Sequence, residues 1–167
     1  LKLEEQGYKA VIAELEQATR LVPEDLALQS MLGVLYTQDG QFDRALEVFK
    51  EIGNKELEIS GQYYKTTLLR WGNVYLNRGD MLRALDDEKS AREDYLQAID
   101  KYSRALELAP DYLEAHFNQG VVYGELGNFA SALQSWEKLL KSNFTKFEEL
   151  LEMYLQEKKT SAQMLIK

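Results

Sequence analysis

The chain has 167 residues and no cysteine, carries a net charge of -8, and is 45% hydrophobic and 29% charged. That length fits one compact domain or one short repeat array, and without cysteine there is no disulfide, thiolate nucleophile or cysteine-ligated metal site. The acidic balance argues against a nucleic-acid partner, because phosphate binding draws on clustered Lys and Arg, and no apolar run is long enough to span a bilayer, so no direct membrane insertion is expected within this stretch.

Proline occurs only at Pro23 and Pro110, so long helices are allowed almost everywhere. Leu, Glu, Ala and Lys dominate, all good helix formers. The fold class expected is therefore all-α. The first residue is Leu1 rather than Met. The chain is read as a piece of a longer protein whose missing N-terminus would hold any localisation signal. The compartment is unknown, with the cytoplasm favoured and a periplasmic or membrane-tethered setting left open.

Residues 1–25 contain Val11-x3-Leu15-x2-Ala18-x4-Pro23, which reads as the closing half of a helical hairpin without its opening helix. Residues 26–59 contain Leu32-Gly33-x2-Tyr36, then Gly40, Phe42, Ala45, Phe49 and Ile52. The order returns in residues 60–110 as Trp71-Gly72-x2-Tyr75, Gly79 and Ala84, and in residues 111–144 as Gln119-Gly120-x2-Tyr123, Gly127, Phe129, Ala132, Trp136 and Leu139. In each, an aromatic lies three residues after the first glycine, a second glycine seven after it and an alanine twelve after it. A fixed spacing of this kind marks a repeat architecture, and the 3-4 spacing of the apolar residues marks amphipathic helices. The first glycine is placed where two helices approach closely. The second is expected to end the first helix, the aromatic two residues on (Phe42, Phe129) to fix the turn, and the alanine to face back from the second helix.

Gly33 to Gly72 is 39 residues and Gly72 to Gly120 is 48. Against a period of about 34 residues, these predict a longer connection around Gly53 to Gly61 and an insertion of about 14 residues between Gly72 and Ala98. One account lengthens both helices of the middle hairpin, with a turn near Asp86-Asp87-Glu88-Lys89 and a capping box Ser90-x2-Glu93. The other ends the first helix at Gly79 and runs one helix over residues 81–109. The capping box favours the first. Asp111-x2-Glu114 is expected to start the next helix, and Thr145-x2-Glu148 to start a terminal helix over residues 145–167 with Phe147, Leu150, Leu151 and Tyr154 on its apolar face.

These segments resemble the tetratricopeptide repeat (TPR) motif, W-x2-L-G-x2-Y, then A-x3-F, then P, through Gly72, Tyr75, Gly120, Tyr123, Ala132 and Trp136, with Ala98-x3-Tyr102-x2-Ala105-x4-Pro110 matching its closing half. The resemblance covers most of residues 6 to 144. It implies a single TPR-type right-handed superhelix of antiparallel helical hairpins, ending in a capping helix that keeps the last core face from water.

The resemblance further implies a concave groove lined by the first helices of the hairpins. Its residues here would be Ser30, Val34 and Thr37, then Leu69, Arg70, Asn73 and Leu76, then Phe117, Asn118, Val121 and Gly124. That set is apolar with a few amides and fits a peptide or helix of a partner protein. A clamp for a chaperone's terminal carboxylate is disfavoured, because Ser30, Leu69 and Phe117 stand where basic or polar groups are wanted. The groove is alternatively filled by the C-terminal helix itself.

Residues for catalysis are sparse. His116 is the single histidine, too few for a His-rich metal site, and its position suits packing between helices. The glycines follow the repeat rather than cluster as a phosphate loop. Asp86, Asp87 and Glu88 lack the alternation and glycine of a calcium loop. The expected function is a non-catalytic protein-protein interaction scaffold or adaptor, involved in complex assembly, with no cofactor or metal. The alternatives are a self-associating repeat protein forming homo-oligomers and, disfavoured, a small-molecule binder or enzyme.

Overall fold

The computed structural model describes residues 2–60 and 63–165, and these form helices joined by short turns. In order they are α1 (Lys2–Leu21), α2 (Leu26–Gln38), α3 (Phe42–Ser60), α4 (Lys65–Ala84), α5 (Glu88–Leu108), α6 (Leu113–Glu125), α7 (Phe129–Ser142) and α8 (Phe144–Leu165). Among the described residues there is no strand. Two units result, Leu1–Pro110 and Asp111–Lys167. In the first, α2 pairs with α3 and α4 with α5, α1 packs on α2, and α3 packs on α4; in the second, α6 pairs with α7 and α8 lies on both.

The hairpins are closed by aromatic rings lying over glycines. A Cβ added at Gly33 would stand 2.9 Å from the Phe49 ring and one at Gly72 2.5 Å from Tyr102, and one at Gly120 would come closer still to the Trp136 indole nitrogen. Real Cβ atoms do not come that close, so the repeat glycines are required by helix approach. Each ring comes from the second helix of the same hairpin. Ala45, Ala98 and Ala132 are buried beside them.

The three hairpin turns share one geometry. Gly40 and Gly127 have φ of +76° and +73°, and the next residue donates its N–H back to Tyr36 O and Tyr123 O, both at 2.8 Å. In the middle hairpin the same place is held by Asp86 at φ +62°, with Asp87 N–H bonded to Leu82 O at 2.9 Å. Aspartate tolerates this left-handed region better than most residues.

The middle hairpin therefore turns at Leu85–Asp87, and both its helices are long, 20 and 21 residues against 13 and 14 in α6 and α7. Gly79 does not end a helix. It lies inside α4, where its absent Cβ leaves room for the Tyr95 ring 2.8 Å away. Ala84 is the exposed last residue of α4 and faces no partner helix; Ala91 and Ala98 of α5 take that role. The Gly72–Tyr102 pair is thus repeated seven residues along each helix by Gly79–Tyr95, and each tyrosine hydroxyl donates to the residue after its glycine, Tyr102 to Asn73 and Tyr95 to Asp80, both at 2.8 Å.

Several expected caps move. Asp87, not Ser90, caps α5, its carboxylate accepting the Ser90 N–H at 3.1 Å. The Ser90 bonds hold the Asp87 carboxyl below the usual carboxylate range. Asn143, not Thr145, caps α8 through the Lys146 N–H at 3.0 Å. α6 starts after Tyr112, which gives no side-chain cap bond, rather than at Asp111. A short side chain with an acceptor oxygen caps from the residue just before the helix, and the turns place Asp87 and Asn143 there. Phe129, expected to fix its turn, is exposed. The longer connection expected at Gly53–Gly61 is largely helix: Gly53 lies inside α3 under the Tyr63 ring, and Gly61 falls outside the described residues.

Candidate partner-binding site

The expected groove residues fall in both units, and each set belongs to its own unit's surface. In the first unit, α2 is free of charged residues from Leu26 to Gln38. Ser30 and Thr37 are buried, Val34 is half-buried against the core, and Met31 beside them is exposed. The buried Thr37 hydroxyl donates to Gly33 O at 2.8 Å within its own helix. On α4, Leu76 is buried, Leu69 and Asn73 are half-buried, and Arg70 is exposed.

Two of these side chains already have internal work. Arg70 donates to the Ser30 hydroxyl, bridging α4 to α2; no carboxylate among the described residues pairs with it. Asn73 accepts the Tyr102 hydroxyl, so its carbonyl is turned toward α5. In the second unit, Phe117 is only 2% exposed. Its ring meets Trp136 of α7 and Phe147 and Tyr154 of α8, with centroids 6.4, 5.8 and 6.4 Å away. Tyr154 donates to Glu125 at 2.8 Å, and Lys158 and Lys146 pair with Glu125 and Glu114 at 3.4 and 3.8 Å. α8 thus lies on the α6 face that carries Phe117. Val121 is buried and Asn118 half-buried on the same helix, while a Cβ at Gly124 would meet open space.

Sequence reasoning missed the polar links that order the first unit. Glu56 of α3 is buried, and its carboxylate accepts the Tyr64 N–H and the Thr67 hydroxyl, capping α4 from the preceding helix. Arg78 makes a two-pronged bond to the buried Asp94 at 2.7 and 2.8 Å and reaches Asp43 at 2.8 Å. These partners raise the Arg78 pKa further, the Asp94 bond most. At the start of the unit, Tyr36 donates to Glu16 of α1 at 2.8 Å beneath the Arg44 guanidinium. Burial and that bond push the Tyr36 hydroxyl up to about 12, while the Tyr36 and Arg44 bonds hold the Glu16 carboxyl down. A charged residue at a helix surface gives no sequence signal of which neighbour it meets.

The described residues hold no cluster of His, Cys, Asp or Glu arranged for a metal ion and no helix long and apolar enough to cross a membrane. What the fold defines is a helical-hairpin repeat protein with glycine-keyed hairpins. Tetratricopeptide repeat family matches cover residues 3–55, 72–100, 87–127 and 114–143. A tetratricopeptide repeat protein 36 homolog of Drosophila pseudoobscura pseudoobscura is 32% identical over 149 residues, covering 85% of this chain and 69% of that protein. The chain belongs to the TPR superfamily.

A UDP-N-acetylglucosamine–peptide N-acetylglucosaminyltransferase of Giardia intestinalis is 32% identical over 89 residues, but these are 53% of this chain and only 6% of that enzyme. The crystal structure of a thermophilic TPR protein from Thermus thermophilus superposes with a TM-score of 0.68 at 23% identity, over 93% of this chain and 77% of that one. TPR arrays are typically non-catalytic scaffolds for protein-protein interaction.

Proposed function

We infer that the chain is an adaptor for complex assembly that holds a peptide or helix of a partner protein on the first helices of its repeats. The observation that carries this is the α2–α4 face of the first unit. In a chain of net charge -8, α2 presents no charge and exposes Met31 beside half-buried Val34, while α4 adds Leu69 and an exposed Arg70 without a carboxylate partner among the described residues. Apolar anchors with a few polar groups suit a docked helix or extended segment. Ser30, Thr37, Asn73 and Leu76 form the floor. In the second unit Asn118 and Val121 are the corresponding set, with Phe117 beneath α8. The repeats implied are 26–59, 60–110 with its insertion, and 111–144, after a partial repeat at 1–25 and before a capping helix at 145–167.

The test is capture of partners from the native organism by wild type and by Val34→Asp combined with Arg70→Ala. Val34 packs on the core and Arg70 bridges α4 to the Ser30 hydroxyl, so the melting point should fall, and capture is compared at a temperature at which the double variant keeps wild-type helicity. A partner lost from the double variant supports the face; a partner retained at wild-type level contradicts it.

A further inference from the structure

Arg20, Arg44, Arg78 and Arg83 each meet a carboxylate: Glu16 for the first two, then Asp94 and Glu88. Arg70 is exposed and is held instead by a neutral group, the Ser30 hydroxyl of α2. Arginine has five N–H donors, and this bond uses one of them. Ser30 thus fixes where the guanidinium stands and leaves its charge unanswered. Ser30 and Val34 lie one turn apart on α2, so they share a helix face, about 5–6 Å from each other. A positioned cation therefore stands one turn from the apolar step made by Val34 and the exposed Met31. The sign of the surrounding helices sharpens the contrast. On α1, α3 and α5 carboxylates outnumber cations. α2 has no charged residue, and α4 has Lys65, Arg70, Arg78 and Arg83 against Asp80 alone.

We propose that the partner segment on this face carries an Asp or Glu side chain that pairs with Arg70, and an apolar residue about one helical turn away that seats on Met31 and Val34. The inference rests on the docking face proposed above and names what selects its occupant. A planar guanidinium takes a carboxylate through parallel N–H bonds, and a single cation with one donor engaged matches a single negative charge. A chain of net charge -8 repels an acidic segment over most of its surface, so the carboxylate is drawn to the place where a cation stands without one. Ser30 acts as a positioning residue: its hydroxyl sets the guanidinium before the partner arrives, which lowers the cost of ordering it.

The test pans a displayed library of random peptides, about 16 residues or four helical turns long, on the full chain. The peptides are joined to the display scaffold at their C-terminus, so no terminal carboxylate is offered. Selected peptides should pair an apolar residue with an Asp or Glu about two to four residues away, the spacing of one face of a strand or helix. One of them is then made with an amidated C-terminus and titrated at a temperature at which every variant keeps wild-type helicity. Arg70→Gln should weaken binding about five- to tenfold, as should replacing the peptide's acid by its amide. The two changes together should cost little more than either alone. Arg70→Glu should prefer a peptide with Lys in place of the acid, and added salt should weaken binding less in Arg70→Gln than in wild type. Ser30→Ala should cost about two- to threefold. Peptides that lose binding on Met31→Asp yet carry no carboxylate overturn this inference and leave the docking face standing. Losses at Arg70 and at the peptide's acid that simply add do the same. No selected peptide, or peptides indifferent to Met31→Asp, overturn both.

Discussion

The α4–α5 and α6–α7 hairpins start from the same device, a glycine under an aromatic ring, and finish differently. α4–α5 repeats the device at Gly79 and Tyr95, ties both tyrosine hydroxyls to the opposite helix, and holds Asp94 with Arg78. Its extension is held by its own contacts. α6–α7 uses the device once, at Gly120 and Trp136, where the indole N–H donates to Phe117 O at 3.0 Å. It relies on Phe147 and Tyr154 of α8 to cover Phe117 and leaves the outer face of α7 open. A repeat can therefore lengthen by adding a further ring-on-glycine layer, whereas a short hairpin depends on what lies against it.

The largest effect expected is from Gly120→Leu. A leucine cannot fit where even a Cβ would collide with the Trp136 indole, and overpacking of this kind costs about 3 kcal/mol or more. The α6–α7 hairpin should be lost, read as a fall in helicity and melting point; an unchanged melting point refutes the packing. Arg78→Ala should follow. It leaves the buried Asp94 without its cation, at a cost of about 2 kcal/mol for a partly exposed pair, seen as a lower urea midpoint. Gly124→Ala should act in the opposite sense, because its Cβ meets nothing within 4 Å; helix propensity predicts a gain of about 0.5–1 kcal/mol. A loss there would mean that this part of α6 is more closely covered than it is here.

The smallest effect is the pH dependence at α1. The folded Glu16 pKa lies below the ordinary value of 4.5, so its contribution is present above pH 4.5 and disappears as the pH falls through the folded value. Tyr36 is raised from 10 to about 12, so its contribution is present below pH 10 and disappears as the pH rises toward 12. Glu16→Gln should weaken the acid-side dependence, to which Asp87 still contributes, and cost a few tenths of a kcal/mol, about that of a surface pair. A wild-type acid profile in the variant would contradict the bond.

The hairpin glycines, their tyrosines and the closing prolines were legible because packing at a helix crossing imposes a residue type at a fixed spacing. The place of the middle turn was legible too, though from the wrong cap. The role of Gly79 was not, because seven residues is both the distance to a helix end and two turns of one helix face. Asn73 and Phe117 read as groove residues because they sit where a first helix usually faces a ligand. What redirects them, the Tyr102 hydroxyl and the rings of α8, depends on neighbours that spacing alone does not specify. One consequence is that Phe117→Ala removes a buried ring and should lower stability.

The most direct test of ring-on-glycine packing is Gly120→Ala in a Trp71→Phe background, with Trp136 as the single tryptophan and its emission excited selectively. Even one methyl at this position must displace the indole and lengthen its bond to Phe117 O. The melting point should fall by several degrees and the Trp136 emission should shift to the red. Emission and melting point equal to those of the Gly120 parent would show that the helices are not held apart by that ring, and would contradict it.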